Sequence, residues 1–89
     1  MKTIKIEVYG RVQGVYFRAN TCQKAIEFDI KGNVKNRHDG SVEIIAEGEE
    51  RNLDEFLNWC YKGPALAKVT SVIVTSLLPQ GFRDFITTK

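Results

Sequence analysis

The sequence predicts an α+β sandwich in which two helices cover one face of an antiparallel sheet. Two kinds of pattern predict it. Segments that alternate apolar and polar residues are typical of half-buried strands, and segments with apolar residues at i, i+3, i+4 and i+7 are typical of amphipathic helices. Along the chain these segments follow the order βαββαβ, which is that of a ferredoxin-like, split β-α-β sandwich.

The first strand and the first helix occupy the N-terminal third of the chain. Residues 3–9 alternate, with the apolar face formed by Ile4, Ile6 and Val8. This period of two predicts a half-buried strand. A glycine-containing loop follows over residues 10–17. The next apolar residues fall at helical spacing and predict a helix that ends near residues 28–29: Ala19, Cys22, Ala25 and Ile26.

A hairpin is predicted in the middle of the chain. Residues 30–36 form its first strand, although Gly32 and Asn33 weaken the pattern. The Asp39-Gly40 pair marks the turn within residues 37–40. Residues 41–48 alternate again and form its second strand.

A second helix and a further strand complete the fold. The apolar stripe of this helix consists of Leu53, Phe56, Leu57 and Cys60. Gly63-Pro64 ends the helix. The β-branched run over residues 69–75 predicts the fourth strand, and residues 82–87 can add a short edge strand.

Length and composition predict one domain over residues 1–89. A net charge of +2 is too small for non-specific nucleic-acid binding, and no segment reaches the roughly 20 apolar residues of a membrane span. The N-terminus lacks the apolar core of a signal peptide, and the two cysteines, Cys22 and Cys60, are too few for a disulfide framework. We therefore expect a cytoplasmic monomer without nucleic-acid or membrane partners, in which the cysteines pair only if the helices bring them together.

The loop over residues 10–17 has the features of an anion site. Gly10 and Gly14 allow a turn that aims successive backbone N–H groups into one concavity, and a helix start adds about half a positive charge. Arg18 follows, and its planar guanidinium can bind two anionic oxygens at once. On these residues alone, a more frequent explanation is a loop whose arginine forms a cap or a salt bridge.

Two longer motifs carry a family resemblance. Residues 10–18, Gly-Arg-Val-Gln-Gly-Val-Tyr-Phe-Arg, resemble the acylphosphatase signature, in which Gly-x-Val-Gln-Gly-Val precedes an aromatic residue and an arginine. Residues 32–42, Gly-Asn-Val-Lys-Asn-Arg-His-Asp-Gly-Ser-Val, resemble the second signature of that family, Gly-aromatic-Val-x-Asn-x-x-Asp-Gly-x-Val. The similarity continues through the second helix to the final strand, so it covers nearly the whole chain.

The resemblance implies hydrolysis of the carboxyl-phosphate bond of small acyl phosphates, without metal or cofactor. The phosphate would be bound by a backbone cradle formed by Gln13, Gly14, Val15, Tyr16, Phe17 and Arg18. The catalytic residues would be Arg18, which binds the phosphoryl oxygens, and Asn36, whose amide holds the attacking water. Because the leaving group is a carboxylate, such a reaction depends on positioning and charge stabilisation more than on acid catalysis.

Three residues depart from the family pattern. Tyr16 stands where a small residue is frequent, and it could narrow the mouth of the site or stack on the acyl group. Asn33 replaces an aromatic residue close to Asn36. Asp29 stands where a glycine often ends the first helix, and aspartate tolerates a left-handed backbone less well than glycine. These departures bear on stability and substrate preference more than on the reaction.

Functions of other classes stay open at this point. A non-catalytic anion or metabolite sensor of this fold would use the loop but not Asn36. An RNA-binding module would need exposed aromatic residues on its middle strands, and residues 4–8 and 42–46 contain none. The same module could serve within a larger carbamoyl-transfer system. His38, the single histidine, is expected to be a solvated turn residue rather than a general base.

Overall fold

The computed structural model describes residues 1–88, which form two α-helices and a five-stranded sheet. In chain order the elements are β1 (Lys2–Arg11), α1 (Phe17–Glu27), β2 (Lys31–Asn36), β3 (Val42–Gly48), α2 (Glu50–Lys62), β4 (Lys68–Leu77) and β5 (Phe85–Thr87). This order confirms the predicted ferredoxin-like βαββαβ arrangement. The additional edge strand predicted within residues 82–87 is β5.

The strands lie in the order β4-β1-β3-β2-β5. β1 pairs antiparallel with both β3 and β4, and β2 pairs antiparallel with β3, as the sequence predicts. β5 pairs with β2 in parallel, so the complete sheet is mixed. The reason is topological: the chain leaves β4 at one edge, crosses to the other edge and runs back in the direction of β2.

The core lies between the helices and one face of the sheet. Ile6, Val8 and Ile44 point from β1 and β3 into this layer, and each is fully buried. Phe56 of α2 and Phe17 at the start of α1 are also buried. Burying a large aromatic side chain contributes about 2 kcal/mol, so Phe17 fixes the beginning of α1 against the sheet.

The two cysteines within the described part of the chain are free thiols. Cys60 belongs to the core, and burial raises the pKa of its thiol. Cys22 is half-buried on α1, and its Sγ lies 3.2 Å from Oγ1 of Thr87 on β5. Neither α1 nor α2 has the length and apolar character needed to cross a bilayer.

A buried carboxylate anchors the crossing from β4 to β5. Glu47 at the end of β3 is 3% exposed, and it accepts a hydrogen bond from the Thr3 hydroxyl at 2.6 Å. The backbone N–H groups of Gln80, Gly81 and Phe82 also donate to it, at 2.6, 3.0 and 2.9 Å. The Thr3 hydroxyl, followed by these N–H groups, lowers the pKa of the Glu47 carboxyl. The crossing segment is therefore held on the sheet face that the helices leave open.

We expect Glu47→Gln to lower the free energy of unfolding by about 2 kcal/mol at pH 7, because an amide is a weaker acceptor and its NH₂ group faces other donors. Chemical denaturation measures this difference. Because the pKa of Glu47 is lower in the folded state than in the unfolded chain, the difference is complete above the ordinary glutamate pKa. It shrinks as the pH falls through the folded-state pKa. Glu55→Gln, at an exposed position of α2, is the control, and equal pH dependence of the two variants would contradict the anchor.

Candidate active site

A cleft of about 440 Å³ opens where β1 ends, between the start of α1, the end of β2 and β5. Five of the predicted site residues line it: Gly14, Tyr16, Phe17, Arg18 and Asn36. The fold therefore brings the two sequence motifs together at one place. Two other predicted residues do not line the cleft, because Val15 is buried in the core and the Gln13 side chain turns toward the β2–β3 connection.

A bulge directs the chain from β1 into the cleft. The pairing of β1 with β4 shifts register between Tyr9 and Gly10. Gly10 has a φ of 124°, and a Cβ at this position would lie 2.2 Å from the carbonyl oxygen of Lys68. A residue with a side chain cannot occupy this position without moving β4. The glycine thus allows the turn that begins the site.

The next segment, residues 12–19, forms the cradle of the cleft. Its backbone takes left-handed φ values at two positions, 73° at Gly14 and 66° at Tyr16. Tyr16 is the N-cap residue of α1 and makes no side-chain cap hydrogen bond. The first helical N–H that finds a helical acceptor is that of Asn20, which donates to the Tyr16 carbonyl at 3.1 Å.

The cradle leaves its own N–H groups without protein acceptors. No backbone or side-chain acceptor within residues 1–88 takes a hydrogen bond from the N–H groups of residues 14–19. The last of these groups belong to the first turn of α1, where N–H groups are unpaired in every helix and the helix dipole is positive. Such an array, with its N–H groups free and the helix dipole positive, is suited to bind an anion.

Arg18 and Asn36 lie on two different elements that border the cleft, α1 and β2. Arg18 lies in the first turn of α1 and forms no salt bridge with the acidic side chains of the described residues. Asn36 is the last residue of β2. Its Oδ1 is buried and accepts no hydrogen bond from any group of residues 1–88. The cleft therefore has a cation and a set of N–H donors on one element, and on another a lining residue whose buried carbonyl oxygen lacks a partner.

An ion-pair network holds the turn after Asn36. The Arg37 guanidinium donates to Glu7 at 2.8 Å and to the Tyr9 hydroxyl at 2.9 Å. The hydrogen bond with Glu7 is the largest cause that raises the pKa of Arg37. Asp39 accepts from the hydroxyl and the backbone N–H of Ser41, and these bonds lower its pKa. The acidic residue of the second motif therefore closes the turn.

Sequence patterns missed several contributors to the cleft. Val12, Ala19 and Thr87 also line it. Val12 lies within the predicted loop and Ala19 follows the first motif, but no signal marks Thr87, which reaches the cleft only because β5 docks beside β2. His38 is exposed in the turn and does not line the cleft. Residues 1–88 contain no group of three or more histidine, cysteine, aspartate or glutamate side chains placed to hold a metal ion.

Comparisons with known proteins identify similar sequences over almost the whole chain. The sequence model of the Acylphosphatase family matches residues 4–87. An acylphosphatase from Thermotoga maritima is 51% identical over 85 residues, which cover 96% of this chain and 94% of that protein.

Solved structures with a similar fold include an acylphosphatase and a longer protein. The crystal structure of acylphosphatase from Bacillus subtilis has a TM-score of 0.97 and 40% identity, with 100% of both chains covered. The crystal structure of T. kodakarensis HypF has a TM-score of 0.87 and 37% identity, and the match covers 100% of this chain but 12% of that one. A unit of this fold thus also occurs within a much longer chain.

The left-handed backbone of Tyr16 predicts an unusual order of stabilities. We expect Tyr16→Gly to be more stable than Tyr16→Ala by about 1 kcal/mol, because glycine alone escapes the clash of Cβ with the backbone. The Tyr16 side chain is 71% exposed, so both variants lose little packing. Chemical denaturation measures the difference.

The matched pair is Asn58→Gly and Asn58→Ala, at an exposed position inside α2. There the order should reverse, since glycine destabilises a helix interior by about 1 kcal/mol relative to alanine. A Tyr16→Ala variant that is more stable than Tyr16→Gly, as at position 58, would show that Tyr16 carries no backbone strain.

Proposed function

The chain belongs to the acylphosphatase family, and from that premise we propose that it hydrolyses small acyl phosphates in the cleft between the cradle and Asn36. The reaction breaks the carboxyl-phosphate bond and yields a carboxylate and inorganic phosphate. The proposal requires no metal ion and no covalent intermediate. It assigns the phosphate to the cradle and Arg18, and the attacking water to Asn36.

The unpaired N–H groups of residues 14–19 support the placement of the phosphate. Together with the start of α1 they provide fixed partial positive charges that need no reorganisation during the reaction. Arg18 adds a full charge and can contact two phosphoryl oxygens at once. In phosphoryl transfer, negative charge is spread over three equatorial oxygens in the transition state, so this arrangement favours the transition state over the bound ground state.

The observation that carries the catalytic part of the proposal is the unpartnered Oδ1 of Asn36. Buried carbonyl oxygens almost always accept a hydrogen bond, so this atom, on a residue that lines the cleft, calls for a donor. A water molecule is a suitable donor, and a hydrogen bond to Oδ1 would orient its lone pair toward the phosphorus. A neutral amide is sufficient because the carboxylate leaving group needs no strong acid.

We also propose that residues 1–89 form one domain that acts as a monomer in the cytoplasm. The core cluster draws on both helices and on strands β1 to β3, which supports one cooperative unit. The two free thiols suit a reducing compartment. Light scattering of the purified chain measures its oligomeric state.

The purified protein should hydrolyse benzoyl phosphate at an unchanged rate in excess EDTA, because the cradle and Arg18 supply the positive charge. Release of inorganic phosphate provides the measurement. Binding of phosphate without turnover would favour the anion sensor instead. Turnover that appears only after addition of a divalent metal would also overturn the proposed mechanism.

Substitution of the two catalytic residues should separate binding from rate. Arg18→Ala should weaken inhibition by phosphate and lower kcat/KM by about a thousandfold. The reason is that the arginine contacts the phosphoryl group both in the bound ground state and in the transition state. Asn36→Ala should lower kcat by about a hundredfold and leave phosphate inhibition nearly unchanged, because it contacts the water. Arg51→Ala and Asn58→Ala, at positions on α2 outside the cleft, are the matched controls. Full activity of Asn36→Ala would show that Asn36 does not hold the attacking water.

A further inference from the structure

The Gln13 side chain connects the two halves of the cleft. Gln13 belongs to the cradle, but its carboxamide points away from the phosphate site. Its Nε2 donates to the carbonyl oxygen of Arg37 at 2.7 Å and to that of Ser41 at 2.9 Å. A carboxamide nitrogen has two hydrogens, so both donors of Gln13 are in use.

The two carbonyl groups close the turn that follows Asn36. The Arg37 N–H donates to the Ser41 carbonyl at 2.9 Å, and the Arg37 carbonyl also accepts from Gly40 at 3.1 Å. Gln13 therefore binds the base of the turn, one peptide unit after the residue assigned to the water. A shift of this turn must move Asn36 as well, because the two are consecutive in the backbone.

Hydrogen bonds hold this turn on two sides. On the side of β1, the Arg37 guanidinium binds Glu7 and Tyr9. On the side of the cradle, the two bonds from Gln13 are the only hydrogen bonds within residues 1–88 that join residues 12–19 to residues 31–48. Besides the strand pairing through β1 and β3, Gln13 thus supplies the direct hydrogen-bonded link between the cradle and the turn that follows Asn36.

We propose that Gln13 is a positioning residue that sets the distance between the bound phosphate and the Asn36-oriented water. The inference rests on the proposed function, since it assigns Gln13 a part in the same reaction. In-line attack requires the water oxygen to lie about 3 to 3.5 Å from the phosphorus, and a misplacement of about 1 Å can reduce the rate a hundredfold. Gln13 acts on this distance through Asn36 and does not bind the phosphate with its side chain.

The test is a double-mutant cycle between Gln13 and Asn36, with benzoyl phosphate as the substrate. Gln13→Met keeps the length of the side chain and removes both donors. It should lower kcat by about tenfold and leave the inhibition constant of inorganic phosphate nearly unchanged. In the Asn36→Ala background, Gln13→Met should have no further effect on kcat, because the residue through which it acts is absent.

The matched control is Gln23→Met, the same substitution at an exposed position of α1, which should retain the wild-type kcat and phosphate inhibition. Gln13→Lys serves as the conservative variant: its ammonium can donate to the same two carbonyl groups, so it should recover most of the wild-type kcat. It also provides the measurement if Gln13→Met does not fold, and in that case a loss of kcat as large as that of Asn36→Ala would overturn the inference.

Three results would overturn the inference while the proposed function stands. They are an unchanged kcat in folded Gln13→Met, a matching loss of phosphate inhibition, and independent losses that multiply in the double variant. Absence of turnover by the wild-type protein would instead overturn the proposed function, and the inference with it.

Discussion

The site depends on one constraint: the backbone N–H groups of residues 14–19 must remain without acceptors from the protein. A donor buried without an acceptor costs about 1–3 kcal/mol, so these groups can stay unpaired only where solvent reaches them. The fold tolerates them because they border an open cleft and because the first turn of any helix has unpaired N–H groups. The Gly10 bulge and the left-handed Gly14 and Tyr16 keep the segment from closing on itself. The local geometry and the anion-binding capacity thus have the same origin.

The remaining parts of the cleft are assembled around this segment from distant parts of the chain. β2 presents Asn36, and β5 presents Thr87. β5 reaches its place because Glu47 retains the segment that crosses from the opposite edge of the sheet. The Phe17 ring in the core fixes the start of α1. Each contact is an ordinary element of stability, and together they determine the shape of the cleft.

Local patterns were sufficient to predict the order of the elements, because period-two and helical spacing recur wherever a face is buried. The motifs also led to Arg18 and Asn36, and Asp29 has the left-handed φ of 56° that a glycine position implies. Local patterns could not predict three features: the parallel pairing of β5, the burial of Glu47 and the direction of the Gln13 side chain. Each depends on partners far away in sequence, and residues such as glutamate and glutamine ordinarily lie in solvent.

The pairing of β1 with β4 has a consequence for biosynthesis. It joins the first strand to residues 68–77, so a nascent chain has no partner for that edge of β1 until these residues have left the ribosome. Folds dominated by such distant pairings have high contact order and fold in milliseconds to seconds rather than microseconds. During that interval an unpaired strand edge can associate with other chains. The pairing of β1 with β4 therefore makes the synthesis of residues 68–77 decisive for covering this strand edge.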